Sequence, residues 1–248
     1  MVATRYPGFV PVVGFVWLEF LPLTVILFLE LGWKALFYPL FHYAFLALYE
    51  VGYLYNDRAK TSVERPERGY RSNSSGYVFC FVIVRVQFLL IVAVVGGLYE
   101  SAAILQYLVC SVAVLMLLFV HTWVGELSTP YSNARFVTFS WLAFLKYFPA
   151  TLLFLSFDRA LAILVPVFIV YGSGRVVAYI LSKCGAERDS VADGPLWFFC
   201  SLPVLYAISG SLDYGLESKA LIYVFGSYYL VSWARKLMFG NDSQKVVS

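Results

Sequence analysis

Eight apolar runs follow one another along the chain, at 8–31, 33–55, 77–98, 101–124, 136–157, 160–182, 195–212 and 219–239, with short polar breaks between them. Each is close to the ~20 residues a helix needs to cross a hydrocarbon core about 30 Å thick. The pattern predicts an all-α fold: a polytopic membrane helical bundle of about eight transmembrane helices, forming a single integral membrane domain over 1–248. The first run contains Glu19 and Pro22 and lacks a small-residue cleavage site, so it is expected to stay in the protein rather than act as a removable signal.

Composition strengthens this picture. Of 248 residues, 61% are hydrophobic and 13% charged, far from the soluble average, and the bilayer is the expected solvent. The charge pattern points to no nucleic acid. Cys80, Cys110, Cys184 and Cys200 are scattered, with no zinc or disulfide spacing. Of the eighteen Lys and Arg, twelve fall on one side of the predicted bundle, three on the other and three inside the spans. The positive-inside rule then places both termini in the cytoplasm, and the protein in the cell (cytoplasmic) membrane as a multi-pass chain.

Sliding the chain against itself by 127 residues brings Leu18-Glu19-Phe20-Leu21-Pro22 onto Leu145-Lys146-Tyr147-Phe148-Pro149. In the same register Pro39 meets Pro166 and Phe41 meets Phe168. This predicts two parallel four-helix repeats, about 1–124 and 125–248, related by an axis along the membrane normal.

Arg85, Lys146 and Arg175 lie inside apolar spans, where a cation costs roughly 2.5–3.5 kcal/mol on insertion scales. At about 1.5 Å per residue, Arg175 lies about 11 Å and Arg85 and Lys146 about 14–15 Å from the basic side. With Glu19, Glu50 and His121 they predict a polar cluster open to the cytoplasm, suited to an anionic headgroup whose tail stays in lipid. The plainer alternative pairs Glu19 with Lys146 and Glu50 with an arginine, to neutralise buried charge. Three cations against two carboxylates leave room for a phosphate or diphosphate. His42, among aromatics, is expected to be a hydrogen-bonded core residue, and Trp33, Trp197 and Trp233 interfacial anchors. Tyr171, Arg175, Tyr179 and Lys183 recur every four residues, a basic and phenolic stripe on one helix.

The most charged stretch follows the second run. Glu50, Tyr53 and Asp57 share a helix face at i, i+3 and i+7, and carboxylates so placed can hold Mg²⁺ and bridge it to phosphate. Asn56-Asp57, then Lys60, Glu64 and Arg65-Pro66, resemble the first motif of the UbiA superfamily of intramembrane prenyltransferases, Asn-Asp-x-x-Asp-x-x-x-Asp followed by Arg-Pro. Lys60 replaces the middle Asp of that motif and Glu64 the last. Asp189 and Asp193 stand where the family carries its second acidic motif.

The resemblance covers most of the chain in topology and about fifteen residues in motif. It implies a Mg²⁺-dependent, membrane-embedded transferase. Asn56, Asp57, Glu64, Asp189 and Asp193 would then be metal ligands, with Asp57, Lys60 and Glu50 at the chemistry. Arg58, Arg65, Arg68, Arg85, Lys146, Arg175, Lys183 and Tyr179 would hold substrate phosphate. The partners implied are an isoprenoid lipid and a phosphorylated soluble donor. One branch of the superfamily transfers phosphoribose onto polyprenyl phosphate, and the basic loop with Arg58, Lys60, Arg65, Arg68 and Arg71 suits so charged a donor. Two alternatives stand beside it: a catalytically altered UbiA-like lipid-binding scaffold, favoured by Lys60, and a lipid or ion transporter using the buried charges as its pathway.

Overall fold

The computed structural model describes residues 16–61, 79, 82–88, 90, 92, 101–126, 134–183, 194–211 and 215–239. Every regular element among them is helical. In chain order these are α1 (Leu21–Leu31), α2 (Tyr38–Thr61), α3 (Ser101–Glu126), α4 (Ala134–Leu145), α5 (Phe148–Leu152), α6 (Phe157–Val167), α7 (Ser173–Lys183), α8 (Gly194–Ser211) and α9 (Gly215–Phe239). A 3₁₀ stretch, Gly32–Phe37, joins α1 to α2, and a π-helical turn, Phe168–Gly172, joins α6 to α7. Helical residues 82–88 carry Arg85.

Among the described residues three runs are long and apolar enough to cross a membrane: Leu21–Gly52, Ser101–Gly125 and Phe157–Leu181. Trp197–Ala207 and Lys219–Val231 are shorter apolar helices. The clearest mark of a lipid solvent is the sidedness of α3. Leu105, Val109, Val112, Met116, Val120 and Trp123 form an exposed apolar stripe at three- and four-residue spacing. Tyr107, Ser111, His121 and Thr122 are buried on its other side. In water the polar side would face out. Here the polar groups turn inward, as helices do where hydrocarbon surrounds the bundle.

The chain falls into two compact units, one from the described parts of Met1–Gly32 and Pro166–Ser248, the other from those of Trp33–Val165. The unit boundaries coincide with two backbone irregularities. Gly32 ends α1 with φ 61°, a left-handed value that suits a residue without Cβ, and its N–H bonds the carbonyl of Phe28. Pro166 lies inside α6 and lacks the N–H that would bond Ala162, and the π-helical turn starts two residues later.

In the Trp33–Val165 unit, α2 packs on α3, and the five-residue α5, all of it buried, packs on both. Tyr107 of α3 is fully buried, sets its ring edge-on to Phe41 at 5.9 Å and donates its hydroxyl to the Phe41 carbonyl at 2.9 Å. The α2–α3 approach is tightest at Gly52, where a Cβ would stand 2.3 Å from Cδ2 of buried Leu118. Gly52→Val is therefore expected to destabilise this unit by roughly 1–3 kcal/mol, the range for overpacking. Thermal unfolding in detergent should show a lowered midpoint, and an unchanged one would mean that Leu118 can swing aside.

In the other unit, α9 packs on α1 and α8, and α8 packs on the π-helical turn. Trp17 joins the chain ahead of α1 to α9 through an indole N–H bonded to the Val224 carbonyl at 3.2 Å.

Candidate functional site

Two of the buried charges, Glu19 and Lys146, lie where helices break. Ahead of α1 the helix is interrupted at Phe20, which has φ −112° and ψ −45°, and resumes at Leu21-Pro22. Pro22 has no N–H for the Leu18 carbonyl, and the Thr24 hydroxyl bonds the Phe20 carbonyl at 2.7 Å. Glu19, beside the break, is 3% exposed. The counterpart lies in the other unit. There α4 ends at Leu145, Lys146 and Tyr147 form a turn, and α5 starts at Phe148-Pro149. Thr151 bonds the Tyr147 carbonyl, again at 2.7 Å. Lys146 is buried, with its ammonium 4.9 Å from the Tyr147 ring centroid. An aromatic residue, Pro and Thr at the same spacing thus accompany a helix break at both places, 127 residues apart.

Glu19 is engaged by the segment that starts at Pro166. The π-helical turn carries Tyr171, whose hydroxyl donates to Glu19 Oε1 at 3.0 Å, and the first turn of α7 carries Arg175, whose Nη1 donates to the same oxygen at 3.2 Å. The guanidinium also lies over the Tyr171 ring, 5.3 Å from its centroid, and Tyr171 stacks on Phe225 at 5.8 Å. Ser173 braces the turn: its hydroxyl bonds the Ile169 carbonyl and accepts the Trp197 indole N–H at 2.9 Å. The two ends of the ion pair are unequal. The Glu19 side chain is 4% exposed and that of Arg175 46%.

In the Trp33–Val165 unit, Glu50 of α2 pairs with Arg85, Oε2 to Nη2 at 3.0 Å, both side chains mostly buried. His121 Nδ1 lies 2.8 Å from Thr138 Oγ1. His42 is fully buried and stacked between Tyr38 and Tyr147, at 5.4 and 5.2 Å, the core position expected of it.

Of the predicted site residues, the structure thus brings Arg175 to Glu19 and Arg85 to Glu50. Tyr179 sits half-buried on α7. Asn56, Asp57, Arg58 and Lys60 lie on the last turns of α2 and Lys183 ends α7, but their side chains are outside those described. Glu64, Arg65, Arg68, Asp189 and Asp193 lie outside the described residues. Among the described residues no three His, Cys, Asp or Glu converge. Glu19 and Glu50 each face a guanidinium, an environment adverse to a divalent cation.

Thr24 and Thr151 were not among the predicted residues, although they sit in register two residues after Pro22 and Pro149. Thr138 and Ser173 carried no such signal, because their partners come from distant segments.

Together these features define an all-α, multi-pass membrane protein with buried ion pairs between its helices, one of them set at a helix break. No protein-family model, curated protein or solved structure matches this chain.

Proposed function

We propose that this chain is a UbiA-like intramembrane transferase acting on a polyprenyl phosphate or diphosphate from the cytoplasmic side, with phosphoribosyl-type transfer onto polyprenyl phosphate as its favoured reaction. The observation that carries this reading is the asymmetry of the Glu19–Arg175 pair. A guanidinium oriented by a buried carboxylate, on a side chain that is 46% exposed, is accessible to a ligand. Its fork of N–H donors matches phosphate oxygens. Held already oriented, it would stabilise charge developing on a diphosphate with little reorganisation. Asp57, with Asn56 and Glu64, and the Asp189/Asp193 pair are the proposed carriers of Mg²⁺, on the strength of the motif. Arg58, Lys60, Arg65 and Arg68 are proposed to attract the donor's phosphates.

The test supplies purified full-length protein with polyprenyl phosphate and labelled phosphoribosyl diphosphate, with Mg²⁺ and then with EDTA. Lipid-soluble label that forms only with Mg²⁺ supports the proposal. No transfer from this donor, nor from a panel of prenyl diphosphates with aromatic acceptors, overturns it. If an isoprenoid lipid still co-purifies in that case, the scaffold reading takes its place.

The matched breaks at Phe20–Pro22 and Tyr147–Pro149 favour a second reading, a lipid or ion transporter. Interrupted helices in corresponding positions of two repeats commonly mark a transport site. Lipid or ion flux in liposomes without turnover of either substrate would select it.

A further inference from the structure

Arg135 is poorly placed for a purely structural cation. It is the second residue of α4, at the positive end of the helix dipole, where a cation is disfavoured. It is also only 8% exposed. Its Nε and Nη2 are both buried, and neither has a hydrogen-bond partner among the described residues. Burying a charge without such partners is costly, so the position calls for an anion.

The surroundings are built to hold the guanidinium there. It lies on Gly125 of α3, where a Cβ would come within 2.7 Å of Nε and 2.8 Å of Cζ, so only glycine leaves it room. Below it the hairpin is fastened. The Thr138 hydroxyl lies within hydrogen-bond reach of the carbonyls of Arg135 at 3.1 Å and Ala134 at 3.3 Å. It also lies 2.8 Å from His121 Nδ1, and the imidazole tautomer decides which of the two donates. That bond ties the first turn of α4 to α3. The opening N–H groups of α4 have no acceptor within their own helix. The carbonyl end of α3 attracts the guanidinium as well, but it carries only about half a charge. Gly125 is also the last residue of the apolar run Ser101–Gly125. A spanning helix that leaves hydrocarbon there would carry the guanidinium to the level of lipid phosphates.

We infer that the end of the α3–α4 hairpin is a binding site for a phosphate group, held by the Arg135 guanidinium and the first-turn N–H groups of α4. The group can arrive on a phospholipid headgroup or free in solution. The inference does not depend on the proposed transferase activity.

The experiment follows the unfolding midpoint of the full chain in neutral detergent by tryptophan fluorescence. One arm compares inorganic phosphate with chloride at matched ionic strength. The other compares mixed micelles of phosphatidic acid with those of phosphatidylcholine. Bound ligand at about ten times its Kd should raise the midpoint by on the order of 2–4 °C. The rise should persist in Arg175→Gln, disappear in Arg135→Gln and be reduced in Arg135→Lys. A response to both ligands means a phosphate site reached from water, and a response to phosphatidic acid alone means a headgroup site. Should Arg135→Gln fail to fold, Gly125→Ala displaces the guanidinium while keeping its charge and should also abolish the rise. A midpoint that no anion moves, or a rise retained in both Arg135→Gln and Gly125→Ala, overturns the inference. The Arg175→Gln arm keeps this outcome distinct from failure of the transferase reading.

Discussion

Arg175→Gln is expected to lower transfer to polyprenyl phosphate by at least about 100-fold, the effect of removing one preorganised charge-stabilising donor from a water-poor site. Glutamine keeps a hydrogen-bonding end but loses the charge and the two-pronged geometry. Arg175→Lys should fall between, with the charge retained and the fork lost. Glu19→Gln separates holding the guanidinium from supplying charge. Its amide oxygen can still accept from Tyr171 and Arg175, so the main effect should be a raised KM as the guanidinium becomes less firmly held. The substituted protein must first be shown to be folded, because Glu19 loses a donor at a 4% exposed side chain when Arg175 is changed. The double variant Glu19→Gln/Arg175→Gln removes that imbalance. If it recovers the unfolding midpoint but not turnover, the guanidinium acts on substrate. Full turnover by Arg175→Gln would remove Arg175 from the site.

How much of this could be read in advance differs from element to element. The run at 101–124 became α3, Ser101–Glu126, because about twenty apolar residues between polar flanks leave one solution in a bilayer. The division between 31 and 33 fell on Gly32, where φ turns positive. The run at 136–157 reads as one helix and is not one, since α4 stops at Leu145 and α5 restarts at Phe148. Averaged over the run, hydropathy does not register that break, because the turn holds only Lys146 and Tyr147 and apolar residues flank it on both sides. Only the proline in register with Pro22 announced it, and Thr151 would have strengthened the match.

Partner choice was less legible still. The four-residue stripe named Tyr171 and Arg175, yet nothing in spacing reveals that both donate to Glu19. That meeting needs the π-helical turn after Pro166, a backbone detail with no composition signal. The Glu50–Arg85 contact joins residues 35 apart; the buried charges could be named from the sequence, but not their partners. Arg135 looked like an ordinary basic residue at a loop end. Its burial on Gly125 depends on how closely α3 and α4 approach.

The second large effect concerns the interior of α3. Tyr107→Ala is expected to cost about 3–5 kcal/mol, the range for deleting a buried aromatic and leaving a cavity. Tyr107 is fully buried, meets Phe41 edge-on and donates to its carbonyl across the α2–α3 contact. Tyr107→Phe isolates the hydroxyl and should cost only about 0.5–1.5 kcal/mol. On the opposite side of the same helix Trp123 is 59% exposed, and Trp123→Ala should cost much less despite the larger side chain, because lipid tails or detergent replace its contacts. Unfolding in mixed micelles of increasing denaturing detergent would rank the three. Water would rank them differently, since an exposed tryptophan adds little to a soluble fold, whereas here it can still anchor the helix at the interface. A Trp123→Ala loss equal to that of Tyr107→Ala would mean that this face of α3 is covered by protein rather than lipid. The inward placement of Tyr107, Ser111, His121 and Thr122 would then no longer argue for a bilayer.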